Sequence, residues 1–205
     1  MDIANNLGIL LGGPWASGVN LYLTVFGLGI AGRMHWINLP GTMDTLSNPL
    51  VIAASALMYA VEFVADKIPY FDSVWDSVHT FVRPAGGAAL GYMAAANLGP
   101  AAQTLTAVMG GSVALSSHLT KASTRAAINT SPEPVTNSVA SVTEDGLVFG
   151  VLWLIVKHPV IAALAAVVLI VLTVILLRMM FKFIKKIFRF FSGSGKEERS
   201  GKDDG

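Results

Sequence analysis

Cysteine is absent from the 205-residue chain, which excludes disulfides, thiolate metal sites and thiol catalysis. Charge is scarce as well. Asp, Glu, Lys and Arg make up 13% of the residues, against the roughly 25% usual in soluble domains. Hydrophobic residues make up 53%, and the mean hydropathy is +0.61. This balance points away from a water-soluble fold. The formal net charge is only +1 and the positive charge is localised, so no nucleic-acid partner is expected, because phosphate-backbone binding needs a broad basic surface. The opening Met1-Asp2-Ile3-Ala4-Asn5-Asn6 lacks the basic start of a cleavable signal, and no small-residue cleavage site interrupts the apolar stretch after it. That stretch reads as a retained membrane segment.

A bilayer core of about 30 Å needs roughly 20 mostly apolar helical residues. Residues 160–180 meet this best, followed by 7–31, 50–65 and 139–156. Residues 85–98 and 101–119 are rich in Gly and Ala and are parted by Asn97-Leu98-Gly99-Pro100, a strong turn signal. They read either as two short spans or as a re-entrant hairpin. The expected fold is an all-α, polytopic transmembrane helix bundle of about six segments, some short or interrupted, over residues 1–191. Gly12-Gly13 faintly echoes Gly110-Gly111, and Glu62 corresponds loosely to Glu144. The halves 1–98 and 99–180 therefore admit a 3+3 inverted repeat of the kind found in transporters.

Lys and Arg in short loops set orientation. Lys182, Lys185, Lys186 and Arg189 follow the last apolar run, which makes that end cytoplasmic. Counting back through six spans puts Lys67, Arg83, Lys121 and Arg125 inside, only Arg33 and Lys157 outside, and the N-terminus in the cytoplasm too. Residues 181–191 carry their four cations at i, i+3, i+4, i+7, with Phe181, Ile184, Phe188 and Phe191 opposite. This pattern suits a basic amphipathic helix lying on anionic lipids, and equally a plain positive-inside anchor. Residues 192–205 hold only Gly, Ser and charged side chains, the composition of a disordered cytoplasmic tail.

The polar residues fall in clusters. Glu62 and Asp66 lie four apart at the end of an apolar run, so both carboxylates share one helix face before Pro69. Asp72, Asp76, His79 and Arg83 follow at i, i+4, i+7, i+11, again one face, with a helix end expected at Arg83-Pro84. Such a site would bind a cation, relay protons or, through Arg83 and Lys67, hold an anion. Otherwise this is a solvated loop with Asp72 or Ser73 capping a helix. Asp72, Asp76 and His79 also present the oxygen and nitrogen donors of a metal site. His118, Lys121 and Arg125 form a cationic stripe among hydroxyls, suited to a phosphate or carboxylate or to snorkelling at an interface. Glu144 and Asp145 sit within the next apolar segment and, if buried, need Lys121 or Arg125 as partners. Gly12-Gly13-Pro14-Trp15-Ala16-Ser17-Gly18 and Asn20 predict an interruption in the first helix, or close packing through small residues.

The linked pattern Glu62-x-x-x-Asp66-Lys67-x-Pro69, His79-x-x-x-Arg83-Pro84, Lys121-Ala122-x-x-Arg125, Asn129-Thr130-Ser131-Pro132-Glu133-Pro134 and Glu144-Asp145-Gly146 resembles a family of bacterial integral membrane proteins known only as a domain of unknown function. The resemblance covers roughly residues 7–176. It implies a compact multi-span bundle in a bacterial inner membrane, with no established reaction, substrate or cofactor. Three functions fit the residues. The first is a small transporter or channel in which Glu62, Asp66 and Glu144 bind an ion or proton while Arg83, Lys121 and Arg125 hold an anionic group. The second is a lipid-headgroup enzyme built on Asp72, Asp76 and His79, for which no hydrolase or transferase signature is complete. The third is a structural membrane protein, and a homo-oligomer is compatible with each.

Overall fold

The computed structural model describes residues 3–130 and 134–200; side chains are described from residue 5, and beyond Phe183 only at Lys185 and Lys186. Seven α-helices follow in order: α1 (Ile3–Val19), α2 (Leu21–Arg33), α3 (Pro49–Ala65), α4 (Phe71–Ala94), α5 (Pro100–Ile128), α6 (Pro134–Lys157) and α7 (Pro159–Ser200). No strand occurs among the described residues. Four helices begin on proline, whose fixed φ and missing N–H suit the first helical position. Asn48 also caps α3, accepting from Leu50 N at 2.9 Å.

The first apolar stretch does not run through as one span. Asn20 breaks it, with extended φ and ψ of −146° and 101° and its side chain accepting from Leu23 N to start α2. The chain then turns back. Gly8, early in α1, faces Pro159 O, and Gly12 faces Val151 and Ile155. At the tip, Asn20 Nδ2 donates to Asp145 Oδ1 at 2.9 Å. On the return, Gly27 packs on Leu152, and Asn5 Nδ2 donates to Asn38 O just past α2 at 2.9 Å. Helices α1 and α2 are therefore a hairpin that enters and leaves at one end of the bundle, with its tip in the middle.

Five helices, α3 to α7, run from end to end. The loop end holds residues 34–48, the turn 95–99 and His158. The basic end holds residues 66–70, Asn129 and Lys182, Lys185 and Lys186. Because the first stretch turns back within the bundle, Ile3 lies at the loop end and Phe183 toward the basic end. The halves differ too. Residues 1–98 give a hairpin and two long helices, whereas 99–180 give three unbroken ones, so the expected 3+3 correspondence is not present in the helix pattern.

Pro84 does not end its helix. It lies inside α4, held there by close packing on α5. A Cβ on Gly91 would collide with Thr106 O, and one on Gly110 with Gly87 O. Bare backbones in contact are the usual use of small residues between apolar helices. Residues 85–98 and 101–119 are thus parts of an antiparallel pair whose 24 and 29 residues span about 36 and 44 Å at 1.5 Å per residue. They are neither short spans nor a re-entrant hairpin. The backbone of α7 stays helical from Pro159 through Ser200, without a break at 191; the side chains of Ile184, Phe188, Arg189 and Phe191, and residues 201–205, lie outside the described residues.

Two described helical stretches, Val135–Lys157 and Pro159–Phe183, are long and apolar enough to cross a membrane, and α2 and α3 are shorter apolar helices. The interior divides lengthwise. Toward the loop end it is apolar, with Ile9, Leu28, Met43, Val148, Val151 and Ile155 buried. Toward the basic end it is charged.

A buried charge network as the candidate functional site

The helices lead the predicted polar residues to one place. Glu62 and Asp66 close α3. Asp72, Asp76, His79 and Arg83 share one face of α4, while His118, Lys121 and Arg125 share one face of α5. Glu144 and Asp145 come from α6. Glu62, Asp72, Arg83, His118 and Arg125 have no exposed surface, and Asp66, Asp76, His79, Lys121 and Asp145 are also buried. The spacing arguments placed these faces correctly.

Arg83 ties α4 to three other elements. Its Nη2 donates to Glu62 Oε1 at 2.7 Å and lies 3.2 Å from Asp76 Oδ1, the latter an ion pair without hydrogen-bond geometry. Its Nη1 reaches Gly18 O at 3.3 Å and His118 Nδ1 at 2.8 Å. A guanidinium has only donors, so His118 Nδ1 accepts, and the ring is neutral with its proton on Nε2. That proton faces Thr80 Oγ1 at 3.0 Å, whose own hydrogen goes to Asp76 O.

Lys121 Nζ donates to Asp66 Oδ2 at 2.7 Å and to Val19 O at 3.3 Å, and lies 3.6 Å from both Glu62 Oε1 and Glu144 Oε2. Arg125 grips Glu144 from Nε at 3.1 and 3.2 Å and from Nη2 at 2.7 Å. Its Nη1 donates to Asp66 O and Asn137 O, each at 3.0 Å. The expected partnership of Glu144 with Lys121 and Arg125 is therefore formed. The cationic stripe faces carboxylates and carbonyls, and this leaves it no open side for the phosphate or carboxylate group expected there.

The hairpin tip meets this network directly. Gly18 O and Val19 O, at the end of α1, receive the donors of Arg83 and Lys121. Unpaired carbonyls at a helix C-terminus favour cations. Gly18 is required for the approach, because a Cβ there would collide with Ser117 Oγ and Ala114 O. On the other side of the break, Asp145 accepts from Asn20 and, at 3.2 Å, from the Tyr59 hydroxyl.

The metal set of Asp72, Asp76 and His79 is not assembled. His79 spends Nδ1–H on Trp75 O at 2.8 Å, and its Nε2 meets the Tyr22 hydroxyl at 3.0 Å. Asp72 Oδ1 accepts from Ser73 N at 2.7 Å and Asn129 Nδ2 at 2.8 Å. No three His, Asp or Glu groups among the described residues converge on a metal position. One helix face aligns these donors along its length without bringing them to a point. Lys67 lies apart from the centre, with its ammonium on Phe63 O at 2.8 Å and near Ser141 Oγ at 3.4 Å. Partial burial there pushes its pKa below the usual lysine range.

Spacing alone missed Tyr22, Tyr59, Thr80 and Asn137. Each is a neutral polar group in an apolar helix, and only the partner helix reveals its use. Several carboxylate oxygens have no hydrogen-bond partner despite burial: Glu62 Oε2, Asp66 Oδ1, Asp72 Oδ2 and both of Asp76. The arrangement can hold positive charge beyond its own three cations.

Comparison with curated proteins and with solved structures gave no match. A family profile described as "Domain of unknown function (DUF4126)" matches residues 7–179, which takes in most of the hairpin, α3 to α6 and every residue of the charge network. On that match the chain belongs to the DUF4126 family.

Proposed function

We propose that the protein is a small multi-pass membrane transporter or channel whose site lies between α3, α4, α5 and α6 and takes an ion from the basic end. The observation that carries this reading is the charge network closed on the tip of a broken helix pair, where Gly18 O and Val19 O meet Arg83 and Lys121. Irregular backbone at membrane depth is tolerated where it is buried in protein or lines a cavity. Discontinuous helices whose ends face an ion are a recurring device of transporters. Ionisable groups in the membrane interior are costly and mark ion pathways.

The outer surface supports membrane placement, with Leu57, Phe81, Val108, Phe149, Leu164 and Val168 all exposed. In this reading α3 to α7 cross the bilayer and α1–α2 is re-entrant. Lys67, Lys182, Lys185 and Lys186 at one end outweigh Arg33 and Lys157 at the other, so the basic end faces the cytoplasm and the helix after Phe183 lies against anionic lipid. A bacterial inner membrane is the setting. The test is flux through proteoliposomes loaded with protons, sodium, potassium, chloride or phosphate in turn. Movement of one ion that Glu62→Gln abolishes is expected. Silence for every ion, or a Glu62→Gln protein as active as the original, would defeat the proposal.

A further inference from the structure

We infer that the ion this site handles is the proton, carried by one or other carboxyl of the Glu62 and Asp76 pair beside Arg83. The inference rests on the transport reading and names its substrate. The groups facing the pair are Tyr22 from α2, Asp66 from α3, Asp72, His79 and Arg83 from α4, His118, Lys121 and Arg125 from α5, and Glu144 and Asp145 from α6. His118 is neutral, because Arg83 donates to its Nδ1. The six carboxyl groups Glu62, Asp66, Asp72, Asp76, Glu144 and Asp145 therefore face three buried cations, Arg83, Lys121 and Arg125, and even with the half-buried Lys67, held on Phe63 O near Asp66 and Asp145, carboxyls outnumber cations. Buried carboxyls left without compensation are neutralised rather than kept charged.

Hydrogen bonding says where the added positive charge sits. Asp66 is paired with Lys121 at 2.7 Å, and Glu144 is gripped by Arg125. Asp145 accepts from Asn20 and Tyr59, and Asp72 from Ser73 N and Asn129. Glu62 and Asp76 remain. They share a single nitrogen, Arg83 Nη2, at 2.7 and 3.2 Å. Glu62 Oε2 and both Asp76 oxygens have no hydrogen-bond partner, with the two residues 0% and 3% exposed. Lys121, 3.6 Å from Glu62 Oε1, is already held at 2.7 Å by Asp66, and two buried carboxyls that share one guanidinium nitrogen are costly to charge together, so one of them takes up a proton.

A metal cation fits poorly. Hard cations gather six or more oxygens, whereas no three acidic or histidine groups among the described residues converge, and Arg83 Nη2 already stands against one oxygen of each carboxyl. A proton needs one oxygen. Asp72, one helical turn along α4 from Asp76 toward the basic end, also keeps Oδ2 without a hydrogen bond, 4.0 Å from Arg125 Nη1, so carboxyl oxygens step from the pair toward that end.

The test takes the purified full chain, first by infrared spectroscopy of the protonated-carboxyl carbonyl stretch at neutral pH. It then follows internal pH in dye-loaded vesicles under a potassium diffusion potential set by valinomycin. A protonated-carboxyl band at neutral pH is expected, weakened in Glu62→Gln and Asp76→Asn, together with proton uptake at least tenfold slower in each. Asp44→Asn, an exposed change at the loop end, retains both signals, and Asp76→Glu keeps the band. Should a Gln or Asn variant fail to fold, the wild-type band and its loss at alkaline pH still decide. Absence of that band overturns the inference. Sodium or potassium flux without proton movement also overturns it while leaving the transport reading intact. A band with no flux of any ion upholds the proton-holding pair and defeats the transport reading.

Discussion

Neutralising Arg83 and neutralising Asp76 should have opposite consequences, although the two side chains touch. Arg83→Met removes the one cation shared by Glu62 and Asp76, and also takes donors from Gly18 O and His118 Nδ1. Breaking a buried pair by removing one partner costs about 3–5 kcal/mol. For a chain of this size each kcal/mol is worth about 2–4 °C in Tm, so a fall on the order of 10 °C is expected. Asp76→Asn, in contrast, removes a buried carboxyl that has no hydrogen bond to lose. It also eases an excess of carboxyls over cations. Its Tm should stay level or rise by about 3 °C, which corresponds to about 1 kcal/mol. Both are measured by thermal unfolding of the detergent-solubilised protein, followed through tryptophan fluorescence. If Asp76→Asn lowers the midpoint as far as Arg83→Met, the carboxylates are fully compensated and the charge inventory is wrong.

Gly91→Ala drives a Cβ into the Thr106 backbone and should cost about 1–3 kcal/mol by overpacking, read from the same melts; Gly146→Ala, with nothing within 4 Å, should instead stabilise α6 by about 0.5–1 kcal/mol. Because the chain has no cysteine, single cysteines can map its sides. An impermeant maleimide should label Asn6→Cys and Asp44→Cys from one side and Lys67→Cys and Lys185→Cys from the other, and labelling of Asn6→Cys with the Lys67 group would show that the first stretch crosses. Asn20→Leu loses the cap of α2 and leaves Asp145 Oδ1 without its donor. A loss of about 2–4 kcal/mol in the melts is expected from a cap worth about 1 kcal/mol and an unsatisfied buried acceptor worth about 1–3 kcal/mol.

Much of the site was legible because charge is rare in this chain. A carboxylate within an apolar run has few physical excuses, and spacing of three and four residues assigns it to a helix face without any knowledge of the partner. Glu62 with Asp66, Asp72 through Arg83, and His118 through Arg125 were all placed on their faces this way. Spacing is silent about what stands opposite. Lys121 and Arg125 look like an anion site from α5 alone, and only α3 and α6, with Asp66 and Glu144, show that their donors are committed. For the same reason Asp72, Asp76 and His79 suggested a metal set that a straight helix keeps strung out. Pro84 misled in the opposite direction. Its local preference is to end a helix, and the Gly87–Gly110 and Gly91–Thr106 contacts with α5 carry α4 through it.

The first stretch exposes a deeper limit. Residues 7–31 have the length and hydropathy of a span, and those properties contain no direction. One residue decides the path. Asn20 caps α2 through Oδ1 on Leu23 N and reaches Asp145 through Nδ2. The same side chain that reverses the backbone thus anchors the reversal to the charged helices. The reversal in turn leaves Gly18 O and Val19 O without helical partners, and Arg83 and Lys121 supply the missing donors. Break and network therefore stabilise each other. A through-going helix would satisfy its own carbonyls and leave two buried cations short of acceptors, whereas a neutral bundle would leave the hairpin tip unpaired. One guanidinium thus joins the hairpin tip to the carboxyls, since Arg83 meets Glu62 and Asp76 through Nη2 and Gly18 O through Nη1.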